Sequence, residues 1–153
     1  MQSERRRLEK RIDYLLPLVP QVADHELRAE LTKHLCVLSS GLLEASCKET
    51  LSRFAEKQCS PTVQRFVSAK LESLRNPKIQ SIKDLLSSFD PMKAERWKDS
   101  LLDEERDSVD SIVDNRNQIA HGRHVGLSID VFQRYYMAAM RALEKMEIEF
   151  PPN

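Results

Sequence analysis

Glycine is scarce in this chain, 3 of 153 residues, while leucine, glutamate, lysine, arginine, alanine and serine abound. That composition favours an all-helical protein, since long unbranched side chains lose little freedom in a helix. The glycine-rich signatures of nucleotide sites are missing too. There is no P-loop and no GxGxxG, nor is there an HExxH pair, a nucleophile elbow or a carboxylate cluster with metal-site spacing. Long apolar runs are absent, so no segment reads as a membrane-spanning helix. The start, Met1 to Arg7, is charged and lacks the apolar core of a signal peptide. Cysteine is sparse and odd in number: Cys36, Cys47 and Cys59, with no CxxC spacing. These read as reduced thiols of a cytoplasmic protein, not as a disulfide frame or a zinc site. Net charge is also lacking, with Lys+Arg 24 against Asp+Glu 24. A neutral total argues against bulk electrostatic binding of nucleic acid and leaves room for a local basic site.

What is present is helical periodicity from end to end. Residues 3–19 carry Leu8, Ile12, Leu15, Leu16 and Val19 on one face and open on a basic run, Arg5, Arg6, Arg7, Lys10 and Arg11. That run reads as a solvated face or a phosphate-contacting edge. Asp24 is placed to cap a long helix over 25–58, with Ser39-Ser40-Gly41 as a small patch suited to the close approach of another helix. His25 and His34 have no partner at ligand spacing and read as structural or solvated. Ser60-Pro61 starts a further helix, Asn76-Pro77 ends it, and shorter helices follow over 78–89 and from Asp90-Pro91 through Trp97 to Leu102. A helix over 103–121 and one over 128–148 capped by Ser128 complete the chain. The aromatics and methionines of the last helix, Phe132, Tyr135, Tyr136, Met140 and Met146, fall in register and read as core or helix interface. The expected architecture is all-α: one domain over 1–153, a bundle of five to seven helices ending in an antiparallel helical hairpin.

The helix over 103–121 does not fit an ordinary core helix. Its apolar stripe is Val109, Ile112, Val113, Ile119 and Ala120, and Arg116 lies near the middle of that stripe at roughly 100° per residue. Beside the stripe runs a wholly polar line, Asp110, Asp114, Asn117 and His121. Gly122 is then suited to the left-handed conformation that stops a helix. An arginine and a histidine suffice for metal-free RNA cleavage. An imidazole moves a proton to or from the 2′-hydroxyl or the leaving 5′-oxygen. A guanidinium holds the phosphate and the charge that builds on it. The bare spacing carries little weight. With 14 arginines and 4 histidines, Arg-x4-His is expected about 0.4 times by chance. An arginine on a buried stripe also has an ordinary explanation, packing its stem and pairing with an acid.

The heptapeptide Arg116-Asn117-Gln118-Ile119-Ala120-His121-Gly122 resembles the Arg-polar-x-x-x-His motif of the HEPN superfamily. Its setting is similar as well, ending the penultimate long helix before a hydrophobic last one. The Cys36–Glu44 run, Asn76-Pro77-Lys78 and the Ile112–Gly122 helix look most like the RiboL-PSP-HEPN branch. The resemblance implies a metal-independent endoribonuclease of the toxin or antiviral-defence type, without cofactor. It also implies a homodimer whose motif helices face one cleft, with RNA as substrate and an antitoxin or regulatory protein as a further partner. Carried over by position, Arg116 and His121 are catalytic and Asn117 is the supporting polar residue. Arg123 and His124 follow as candidate RNA contacts. Some members carry a tyrosine two residues past the histidine as a modification site; Arg123 stands there here, so that control does not carry over. The alternative, of a different class, is a non-catalytic helical module that binds RNA or a protein through the same cleft.

Overall fold

The computed structural model describes residues 1–152, and among these it is helical throughout, with no strand. Seven α-helices run Glu4–Leu15 (α1), His25–Glu56 (α2), Pro61–Glu72 (α3), Ile79–Phe89 (α4), Pro91–Ser100 (α5), Asp103–Ala120 (α6) and Ile129–Glu149 (α7). A single 3₁₀ turn, Val19–Gln21, joins the first two. Caps lie where the sequence places them. Asp24 accepts from the Leu27 N–H at 2.8 Å, Ser60 from Val63 at 3.4 Å, Asp90 from Lys93 at 3.1 Å and Ser128 from Val131 at 3.2 Å.

The axis of the bundle is α2, whose 32 residues extend about 48 Å. Helices α1, α3, α6 and α7 all pack on it. It is therefore buried on several sides, through Leu35, Leu42, Leu43, Cys47 and Leu51. A helix so enclosed needs small residues where neighbours cross, and Ser39, Ser40 and Ser46 are wholly buried there. Gly41 faces α1, but the approach is not tight: a Cβ built on it would lie 3.5 Å from Leu8 Cδ1, an ordinary contact. The close approach expected at this patch is therefore loose enough for a methyl group. Gly41→Ala is expected to raise the unfolding free energy by about 0.5–1 kcal/mol through helix propensity alone, measurable by urea denaturation.

The last two helices form an antiparallel hairpin. Glu105 in the first turn of α6 meets Lys145 near the end of α7 at 2.7 Å, and Glu104 lies 3.6 Å from Arg141. Helix α5 is fastened to α7 by the indole N–H of Trp97, which donates to the Ala142 carbonyl at 3.0 Å. Phe150 closes the bundle edge-on against Phe54, with ring centroids 5.1 Å apart. Arg5 leaves the basic run of α1 to pair with Glu9 and Glu147, at 3.0 and 2.5 Å, while Arg6, Arg7, Lys10 and Arg11 are exposed.

All three cysteines are free thiols. Burial pushes Cys36 and Cys47 up to about 12, and only Cys59 is partly accessible. Because the thiolate is the reacting form, a disulfide-exchange reagent is expected to label one thiol per folded chain at neutral pH and three in denaturant.

Candidate active site at the end of the sixth helix

Three acids, Asp103, Glu104 and Glu105, occupy the first turn of α6 and suit its positive end. The stripe then divides into two parts. Val109, Ile112 and Val113 are each 1% exposed, and Cys36 of α2 donates its S–H to the Ile112 carbonyl at 3.4 Å. Beyond Val113 the burial fails: Arg116 and Ile119 are half-buried and Ala120 is exposed. Only the first half of the stripe seen in the sequence is therefore core. The second half is a partly uncovered face centred on Arg116.

The polar line divides in the same way. Asp110 Oδ1 accepts from the Ile79 N–H at 2.8 Å and so caps α4, whose own N-cap residue Lys78 supplies no side-chain cap. Asp114 takes the Lys78 ammonium at 2.5 Å, and that hydrogen bond holds the lysine above its ordinary pKa. The same segment is held from the other side by α2. Asn76, at φ +43°, donates its N–H to Glu44 at 3.0 Å and accepts from the Ser40 hydroxyl at 3.3 Å. Asparagine is one of the few residues that take this conformation readily. Helices α2 and α6 are thus clasped through residues 76–79. The three stretches that carry the family resemblance (36–44, 76–78 and 112–122) are the three that meet here.

Asp110 and Asp114 are occupied by that clasp, and among the described residues Arg116 has no ion-pair partner. Its guanidinium donates only to Asn117 Oδ1, at 3.4 Å. The ordinary explanation for an arginine on this stripe, a buried pairing with an acid, is therefore not what the structure contains. His121 is the C-cap of α6, exposed, with its backbone N–H on the Asn117 carbonyl at 3.2 Å. Gly122 follows at φ +68°. Its N–H reaches Ile119 and that of Arg123 reaches Gln118, both at 3.0 Å, the two-bond stop of a Schellman turn. The imidazole thus sits on a rigid terminus, with Arg123 and His124 exposed in the loop beyond it. Arg116 and His121, five residues apart, point about 140° away from each other. The structure joins Asn117 to Arg116, and no hydrogen bond joins the His121 side chain to either.

The RiboL-PSP-HEPN family model matches residues 3–150. The chain belongs to this family. No curated protein and no solved structure matches it. HEPN domains are generally associated with ribonuclease function. In this HEPN chain no group of three or more His, Cys, Asp or Glu side chains is arranged to hold a metal ion, among the described residues. Likewise no helix is long and apolar enough to cross a membrane. Periodicity alone missed the Glu44–Asn76 and Asp110–Ile79 clasp. Its one sequence signal was an asparagine before a proline, which reads only as a helix break.

Proposed function

We propose that this HEPN chain, folded as one domain, is a metal-independent endoribonuclease in which Arg116 and His121 act across a homodimer. The observation that carries the reading is Arg116: half-buried on a partly uncovered apolar face, without an acid, and hydrogen-bonded only to Asn117. A cation so placed, with no acid paired to it, is available to an anion. The 140° between it and His121 is an obstacle within one chain and a solution in two. A second copy related by a two-fold axis brings one α6 terminus against the other, so that the guanidinium of one subunit and the imidazole of its partner share one phosphodiester.

In the reaction the 2′-oxygen attacks phosphorus, giving up its proton to a basic imidazole. The P–O5′ bond breaks and the 5′-oxygen takes a proton, leaving a 2′,3′-cyclic phosphate and a 5′-hydroxyl. Arg116 holds the non-bridging oxygens, whose charge rises in the transition state. Asn117 fixes the guanidinium, and Arg123 and His124 contact flanking RNA. Such an enzyme suits a toxin or defence effector of the cytoplasm, held in check by an antitoxin or regulatory protein. The test is cleavage of RNA by purified protein in excess EDTA, with the product ends analysed. Cyclic phosphate ends support the reading. Intact RNA at every salt and divalent-ion concentration, despite measurable RNA binding, would make this a binding module instead.

A further inference from the structure

At the motif end of the hairpin, where the loop after Gly122 rejoins the bundle, lies a hollow of about 420 Å3, within the roughly 300–1,000 Å3 of small-molecule sites. Its apolar walls are Pro20, Ala29, Leu127 and Ile129, and its polar groups include His25, Arg28 and Asp130. Two features set it apart. First, Arg28 and Asp130 line the same hollow, yet among the described residues neither forms an ion pair. Elsewhere on the surface Lys83 pairs with Glu95 and Arg96 with Glu149. Second, Arg28 is held in place, donating one guanidinium N–H to the Val22 carbonyl at 3.1 Å and contacting His25 Nδ1 with another nitrogen, which leaves further N–H groups unengaged. A donor fork and a carboxylate lining one hollow among apolar side chains do not suit a phosphate, which Asp130 would repel. They suit a flat group with acceptors on one edge and donors on the next. Guanine is that group: its N7 and O6 accept from an arginine fork, and its N1–H and exocyclic amino group donate to a carboxylate.

We propose that this hollow binds a guanine base of the RNA strand, with Arg28 and Asp130 reading its two edges, and so sets where the strand lies relative to His121. As a statement about cleavage it rests on the ribonuclease reading. As a statement about binding it stands alone.

The experiment keeps the two apart by using mononucleotides, which carry no phosphodiester to cut. Guanosine monophosphate is titrated into the intact protein, followed by backbone amide resonances, beside the adenosine, cytidine and uridine monophosphates. The expected result is shifts at residues 25–32 and 127–130, with guanosine monophosphate bound at least about tenfold tighter than the others. Asp130→Asn should abolish that preference and Arg28→Gln should weaken it, with both variants retaining the wild-type thermal transition. The same Asp130→Asn protein should lose any preference for cutting beside G. Equal affinity for the four nucleotides, no shifts at these residues, or an unaltered preference in Asp130→Asn would overturn the assignment, whether or not the protein cuts RNA. Guanine-selective binding by a protein that leaves RNA intact would uphold this site and reject the nuclease.

Discussion

His121→Ala is expected to lower the rate of RNA cleavage by about 10²–10⁴-fold, the loss of one positioned acid–base group, while RNA affinity changes little. The imidazole is exposed on a C-cap and supports no packing, so the melting temperature should hold. Arg116→Ala should behave differently. It removes a ground-state contact to phosphate as well as transition-state stabilisation, so both affinity and rate should fall. Its stability is the informative control. With no acid left behind, truncation should cost about 1 kcal/mol or less, whereas breaking a buried ion pair costs roughly 3–5 kcal/mol. Single-turnover kinetics, RNA-binding titrations and thermal melts on the two variants separate these outcomes. A large fall in melting temperature for Arg116→Ala, with an inactive parent, would return that residue to a structural role.

The largest effect on stability is expected at Trp97. Its side chain is 1% exposed, its N–H is bonded to the Ala142 carbonyl, and it joins α5 to the hairpin that carries the motif. Trp97→Ala removes the volume and the hydrogen bond that ties α5 to α7, leaving the Ala142 carbonyl only its bond within the helix. The cost should be about 3–5 kcal/mol, read from urea unfolding by circular dichroism because the substitution also removes the sole tryptophan. Trp97→Phe keeps most of the apolar contact and loses the hydrogen bond, so it should fall between. Equal stability of all three proteins would show that α5 is not fastened to the bundle through this ring.

Sequence and structure agree where the signal is local. Asp24, Ser60 and Ser128 start helices because their side chains reach an N–H three residues on, and Gly122 ends one because it takes a positive φ. Those features are written in neighbouring residues. The misreadings concern neighbours distant in sequence. The apolar stripe of α6 looked continuous from 109 to 120, but the burial of its second half depends on which helices reach it, and periodicity is silent on that. Asp110 and Asp114 looked like companions of His121; they are engaged by Ile79 and Lys78, some thirty residues away. His25 reads as structural or solvated and is exposed, but its neighbours in the hollow, Leu127 to Asp130, come from the start of α7 and the loop before it, which helical spacing does not reach. Arg116, Asn117 and His121 were legible through their resemblance to a family motif; their occurrence at this spacing had too high a chance rate to stand unaided.

The central claim is that Arg116 of one subunit and His121 of its partner make one site. It is tested most directly by mixing two inactive proteins, Arg116→Ala and His121→Ala, under conditions that exchange subunits. In the mixed dimer one site regains both groups and the other loses both. The account therefore predicts recovery of about one quarter of the wild-type cleavage rate when mixing is random. Two folded variants that exchange subunits and together remain as inactive as each alone, or a wild-type protein fully active as a monomer, would contradict it.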